Sequence, residues 1–198
     1  MRRAIVGVMG SGVDRHEELA APLGRWIAEH GHHLLTGGGA GVMEAVSEAF
    51  ARVPGRVGLA IGVLKAMLDA QGRVVPRTPS PFVDIAIRTH LPLSGDEGTA
   101  PLSRNHINVL SADLVVGLPG GGGTRSEMEL ALRYERPVVA FLGGMPRPAD
   151  WPPVPVVATL EELARLATPV LARAAAGSPA ARTMGSDCGL FPERDKTP

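Results

Sequence analysis

A glycine-rich segment between a strand pattern and a helix pattern constrains the fold of this chain most strongly. Residues 114–118 form an apolar run typical of a buried strand, and one proline and four glycines follow at 119–123. Residues 126–135 then have helical propensity and contain no breaker. Such a turn leaves the first helical amides unpaired and open to close approach, and the helix dipole favours an anion there. The segment therefore predicts a strand–helix unit with a phosphate-sized anion at the helix N-terminus.

Two more predicted strands end in glycine-rich loops. Residues 4–9 lead into Gly10-Ser11-Gly12, and residues 32–35 lead into the segment 36–41, which contains four glycines. The carboxyl ends of parallel strands lie at one edge of a sheet, where ligands bind. One phosphate-bearing ligand that touches several of these loops is therefore expected.

The alternation of strand and helix patterns predicts an α/β fold, a Rossmann-like doubly wound parallel sheet with helices on both faces. Strands are expected at 4–9, 32–35, 58–64, 82–87, 114–118, 137–142 and 156–157, and helices at 17–30, 42–52, 65–71, 102–111, 126–135 and 159–175. Residues 74–81 and 88–101 are predicted to be loops, the second lying over a site. Residues 1–176 are expected to form one domain, and the Ser/Pro/Gly-rich segment 177–198 to be a disordered tail.

Composition excludes several classes of function. The chain has 198 residues, 44% of them hydrophobic, and equal numbers of basic and acidic residues, 20 each. A neutral chain without a Lys/Arg run is not expected to bind nucleic acid. The single cysteine, Cys188, excludes an intrachain disulfide and favours a cytoplasmic location. No apolar stretch is long enough to span a membrane, so no membrane partner is expected.

Common catalytic motifs are absent from the chain. The segment 10–15 has only the first two glycines of the dinucleotide fingerprint, and no Gly-Lys-Ser/Thr follows a glycine loop. There is no G-x-S-x-G nucleophile elbow. His30, His32 and His33 cluster, but strand alternation sends two of them to opposite faces, so no metal site is expected.

The residues alone favour a structural interpretation of Glu127. Thr124 and Glu127 have the T-x-x-E spacing of a capping box, in which both side chains bond the first helical amides. A carboxylate in that position caps the helix and does not face a ligand well. The same spacing recurs at Thr159 and Glu162, where it predicts the start of the last helix.

Two motifs resemble those of a known family. The segment 119–127, PGGGGTRSE, resembles the PGGxGTxxE signature of the LOG (lonely guy) proteins, once described as possible lysine decarboxylases. The segment 37–43, GGGAGVM, resembles their first glycine motif, GGGxxGLM, with one residue fewer. Arg104 stands at the spacing from Pro119 of the arginine that works with the motif glutamate in those enzymes. The resemblance covers about residues 4–142.

The resemblance implies a phosphoribohydrolase, which releases the base from a nucleoside 5′-monophosphate such as AMP and needs no cofactor. Glu127 would stabilise the positive charge that develops on the ribose or activate water, and Arg104 would orient Glu127 and the phosphate. The phosphate would be held by Gly120, Gly121, Gly122, Gly123 and Thr124. The ligand would be lined by Gly10, Ser11, Gly38, Gly39, Gly41, Met43 and Asn105. The family also implies a homo-oligomer, a dimer or higher.

Departures from the enzyme pattern keep a second interpretation open. Asn105 stands where the enzymes usually carry lysine, Gly122-Gly123 where they commonly have tyrosine and glycine, and Glu44 where they have glycine. These features resemble a sister branch that includes the molybdenum cofactor carrier proteins, which bind a phosphorylated pterin without hydrolysing it. We place the enzyme slightly ahead of the carrier. A third class that shares the fold, DNA binding related to the DprA proteins, is disfavoured by the neutral charge.

Overall fold

The computed structural model describes residues 2–75 and 77–177, and its main feature is a parallel sheet of seven strands. The strand order is β6-β3-β2-β1-β7-β8-β9, and every pairing in the sheet is parallel. In chain order the elements are β1 (Ile5–Met9), α1 (Glu17–Glu29), β2 (His33–Thr36), α2 (Val42–Ala51), β3 (Ala60–Leu64), β4 (Met67–Leu68), β5 (Val74–Val75), β6 (Ile85–Arg88), α3 (Asn105–Ser111), β7 (Leu114–Gly117), α4 (Gly122–Arg133), β8 (Val138–Phe141), β9 (Val156–Val157) and α5 (Leu160–Ala175). The doubly wound α/β fold predicted from the sequence is confirmed.

The core lies on both faces of the sheet because successive strand residues point in opposite directions. On β1, Val6 and Val8 pack into the core formed with α1, α2 and α5, whereas Met9 packs into the core formed with α3 and α4. Continuous apolar runs such as 114–118 are therefore buried on both sides, as expected for parallel strands.

Strand order reverses at β1, and this reversal places the glycine-rich loops side by side. β1 pairs with β2 on one side and with β7 on the other. The loops that follow these three strands therefore leave the same edge of the sheet next to one another. This is the topological switch point at which doubly wound folds bind ligands.

The helix predicted at 65–71 is wrong. Met67–Leu68 pairs with Val74–Val75 as a small antiparallel ribbon, so part of the predicted loop 74–81 is strand as well. The Asp69 carboxylate accepts hydrogen bonds from the amides of Gln71 and Arg73, both at 2.9 Å, and Gly72 supplies a positive φ of 74°. An aspartate that bonds the backbone ahead of it in this way stabilises a turn at the expense of a helix.

Two helix starts near the glycine-rich loops also differ from prediction. α4 begins at Gly122, within the glycine run, and α3 begins at Asn105 instead of residue 102. The predicted loop 88–101 contains a short 3-10 turn, Gly95–Glu97, that packs on α4 and carries an Asp96–Arg125 ion pair of 3.3 Å.

The predicted disordered tail lies outside the described residues from 178 onwards. Among residues 2–75 and 77–177, no helix has both the length and the apolar character needed to cross a membrane.

Candidate functional site

A cavity of about 510 Å³ opens at the carboxyl edge of the sheet, at the switch point. This volume lies in the range of small-molecule sites. Its walls come from the ends of β1, β2 and β3, from residues 94–95 of the loop that packs on α4, and from the first turns of α3 and α4. The cavity is therefore built by segments that are far apart in the chain.

The N-terminus of α4 forms one wall of the cavity. Gly121 is the N-cap of α4, and no side chain caps the helix there. Thr124 lies in this first turn, is only 2% exposed, and its hydroxyl has no hydrogen-bond partner. A buried hydroxyl without a partner is costly unless a ligand satisfies it. The wall thus carries uncapped helical amides and, beside them, a buried hydroxyl that no described residue satisfies.

The loop that carries this wall is fixed against the loop after β1. The Ser11 amide donates to the Pro119 carbonyl at 3.0 Å. A Cβ at Gly120 would overlap the Thr124 hydroxyl and crowd the Ser11 amide. Only glycine permits this approach, which explains one residue of the glycine run by packing alone.

The capping-box interpretation of Thr124 and Glu127 is wrong. The side chain of Glu127 leaves its own helix and accepts a hydrogen bond from Asn108 Nδ2 on α3, with Oε1 at 2.8 Å. By contrast, Thr159 and Glu162 form a complete capping box at α5. The carboxyl group of Glu127 therefore lines the cavity instead of capping a helix.

Arg104 and Glu127 lie together at the base of the cavity. Arg104 Nη1 is 4.0 Å from Glu127 Oε1, and both residues are buried. The guanidinium lies against Gly37, where a Cβ would overlap it. Nε and Nη1 of Arg104 have no hydrogen-bond partner. Arg104 is thus a buried cation with two donors that no described residue satisfies.

Burial dominates the electrostatics of this pair. It raises the pKa of Glu127, which the charge of Arg104 and the Asn108 hydrogen bond only partly offset. Burial also lowers the pKa of Arg104, an effect that Glu127 opposes and nearby Arg77 reinforces. Burial therefore makes Glu127 harder to ionise than an exposed glutamate.

The structure brings most of the predicted site residues together. Ten of them line the cavity, namely Gly10, Ser11, Gly39, Met43, Arg104, Asn105, Gly121, Gly123, Thr124 and Glu127. Four glycines do not line it: Gly38 packs on Leu64, Gly41 on the Ser11 carbonyl, Gly120 on the β1 loop and Gly122 on the Asp96 carboxylate. Gly38 and Gly41 both have a φ of 66°, so backbone conformation accounts for them.

Asn105 has a structural partner and a free acceptor. Its Nδ2 donates to Ser126 Oγ at 3.0 Å, while its Oδ1 is buried without a partner. The side chain is thus held at the first turn of α3 with one oxygen unsatisfied.

Sequence reasoning missed two basic residues of the cavity, Lys65 and Arg77. Lys65 directly follows β3, so its position at a strand carboxyl end was a usable signal. Arg77 lies in the segment beyond β5, where no local pattern marks it. Ser94 and Gly95 of the predicted covering loop also line the cavity, which agrees with a loop placed over a site.

Comparison with known proteins identifies the family. The family model described as the SLOG cluster4 family matches residues 3–165, and the chain belongs to this family. A curated relative, an uncharacterized protein of Archaeoglobus fulgidus, is 35% identical over 143 residues, covering 71% of this chain and 82% of the relative.

Solved structures of molybdenum cofactor proteins share the fold. The molybdenum cofactor binding protein of Rippkaea orientalis is 32% identical, with a TM-score of 0.67 over 86% of this chain and 98% of that one. The molybdenum cofactor carrier protein of Chlamydomonas reinhardtii is 31% identical, with a TM-score of 0.63 over 86% and 99% of the two chains.

Proposed function

We propose that this member of the SLOG cluster4 family is a binding protein that carries molybdenum cofactor or a closely related phosphorylated pterin. The observation that carries the proposal is the uncapped α4 N-terminus with the buried, unpartnered Thr124 hydroxyl beside it. Amides at a helix N-terminus bind phosphate, and a hydroxyl supplies one more donor. The similarity to two molybdenum cofactor proteins supports a pterin as the group that bears the phosphate.

The chemistry of Glu127 favours binding over hydrolysis. A phosphoribohydrolase needs an ionised carboxylate, either to stabilise the developing charge on the ribose or to accept a proton from water. Burial raises the pKa of Glu127, and one of its oxygens already accepts a hydrogen bond from Asn108. A carboxyl group that is harder to ionise, with one oxygen already bonded to Asn108, is less suited to either task than a free carboxylate.

Retention of the cofactor tests the proposal. We would mix the protein with molybdenum cofactor released from a cofactor-containing enzyme, separate it by gel filtration, and quantify the co-eluting pterin by fluorescence after oxidation. Thr124→Val should lower retention at least tenfold, since it removes the hydroxyl but preserves the shape. Thr168→Val is the matched control, because Thr168 is exposed on α5 and its hydroxyl bonds only the Ala164 carbonyl. Unchanged retention by Thr124→Val would contradict the proposal.

Phosphoribohydrolase activity is the second candidate function. It is favoured by one observation, the meeting of Arg104 and Glu127 in the cavity at 4.0 Å. Incubation with AMP and with isopentenyladenosine monophosphate, followed by chromatography, tests it. Release of base by the wild type, lost in both Glu127→Gln and Arg104→Ala, would establish the enzyme and displace the carrier. We expect no release.

A further inference from the structure

The cavity contains more positive charge than one phosphate at α4 would neutralise. Among the described residues, its lining contains three basic residues, Lys65, Arg77 and Arg104, but one carboxyl group, that of Glu127. Among the described residues, the side chains of Lys65 and Arg77 form no salt bridge or hydrogen bond. Arg104 meets only Glu127, at the limit of an ion pair. Unpaired cations lining a cavity are typical of sites for anionic ligands.

Two of these cations flank the loop after β2. The Arg104 guanidinium lies against Gly37, and Arg77 Nη2 would be 3.8 Å from a Cβ at Gly39. Arg77 is close enough for its charge to disfavour that of Arg104. An anion placed between the two guanidinium groups would offset this repulsion, and Nε and Nη1 of Arg104 have no hydrogen-bond partner among the described residues.

Lys65 and Arg77 lie apart from the phosphate wall at α4, whereas Arg104 lies near that helix, 4.0 Å from Glu127. Lys65 directly follows β3, whereas α4 follows β7, and β2 and β1 lie between these two strands. Three inter-strand spacings separate β3 from β7, about 14 Å in total. The loop after β1 fills the gap, since the Ser11 amide bonds the Pro119 carbonyl and the Ser11 carbonyl bonds the Val42 amide.

We propose that Lys65, Arg77 and Arg104, here called the basic end, bind a second anionic oxygen-bearing group of the ligand whose phosphate lies at α4. The inference rests on the proposed function and makes it more specific, because it requires a ligand with anionic groups at both ends. A second phosphate or a metal-bound oxyanion supplies the same chemistry. A nucleoside monophosphate, which has one anionic end, leaves the basic end unsatisfied.

Calorimetric titration with two inorganic probes, phosphate and molybdate, tests the basic end without the cofactor. The wild type is expected to bind two oxyanions per chain. The double variant Lys65→Ala/Arg77→Ala should bind one, at α4, and Thr124→Val should keep the one at the basic end. Arg25→Ala is the matched control, because it removes a positive charge from an exposed position of α1 outside the cavity. Far-ultraviolet circular dichroism and thermal unfolding would verify that each variant is folded.

The outcomes separate the inference from the function on which it rests. One oxyanion per chain in the wild type, lost in Thr124→Val and kept in Lys65→Ala/Arg77→Ala, would overturn the basic end and leave the phosphate site standing. Binding that Thr124→Val does not affect would instead contradict the proposed function. Where two sites are found, a preference of the basic end for molybdate assigns it to a metal-bound oxyanion, and equal affinity assigns it to a second phosphate.

Discussion

At the scale of single residues, the site is defined by polar groups that the fold buries without satisfying. Arg104, Asn105 and Thr124 each keep a buried nitrogen or oxygen with no partner, and all three line the same cavity. Buried polar groups are paired in the large majority of cases, so three exceptions around one cavity indicate a ligand that completes them. These groups reduce the stability of the empty protein in return for affinity.

The buried carboxyl group of Glu127 predicts an unusual dependence of stability on pH. Its pKa is raised by burial, so between the unfolded and folded pKa values the native state binds more protons than the unfolded state. The contribution of this group to the free energy of unfolding is therefore complete below its pKa in the unfolded state. It is lost as the pH rises towards its pKa in the folded state. The slope is at most about 1.4 kcal/mol per pH unit.

Glu127→Gln removes this titration and keeps the size of the side chain. We expect the variant to unfold at a higher urea concentration than the wild type at pH 7, with the difference shrinking as the pH approaches about 4. Urea unfolding at several pH values measures it. A difference that is constant with pH, or that has the opposite sign at pH 7, would show that burial does not control this group.

At the scale of elements, two T-x-x-E sequences in one chain have opposite structural roles. Thr159 and Glu162 cap α5 because the backbone of Thr159 is extended and its side chain accepts from the Glu162 amide at 3.2 Å. Thr124 and Glu127 lie inside α4, since the glycine run lets the helix begin at Gly122. The conformation that the preceding loop allows therefore sets where each helix starts, and the same four-residue pattern lies at the N-cap in α5 but inside the helix in α4.

The same substitution at both threonines distinguishes these roles. Thr159→Val should lower the free energy of unfolding by about 1 kcal/mol, because it removes the N-cap acceptor. Thr124→Val should change it by less than about 0.5 kcal/mol or raise it, because the hydroxyl that it removes has no partner. Chemical denaturation of the two variants beside the wild type measures both. Similar losses in the two variants would contradict the assignment of Thr124 to the ligand site.

The two T-x-x-E segments also show which features of this chain can be predicted from its sequence and which cannot. The strands and the glycine-rich strand ends could be predicted because burial and strand alternation are local patterns, and these patterns placed the loops at one edge. Arg104 and the site role of Glu127 were predicted only from the resemblance to the LOG proteins. The role of Glu127 depends on Asn108, which approaches from another helix. Arg77 reaches the cavity from a segment without a periodic pattern. The ribbon of β4 and β5 depends on the Asp69 turn, which overrides the helical propensity of 65–71.

At the scale of the whole molecule, the cavity joins segments that the chain separates widely. The loops after β1, β2 and β7 form it together with the segment around Gly95 and the first turn of α3. Each segment is anchored in a different part of the sheet or its helices, so a ligand in the cavity connects elements from both halves of the fold. A ligand that binds only the native state stabilises it, by about 2.7 kcal/mol at one hundred times its dissociation constant.

Hydrogen exchange of the full chain with and without bound cofactor measures this connection. We expect slower exchange at once in the segments around 10–13, 37–41, 94–98 and 121–124, because one ligand contacts or covers all four. The groove between α1 and α2, lined by Ala21 and Ala49 among others, lies outside the cavity and serves as the internal control. In the Lys65→Ala/Arg77→Ala variant, protection should persist at 121–124 and decrease at 37–41, since two of the three cations of the basic end are lost. Protection confined to one segment in the wild type would mean that the loops do not act as a single site.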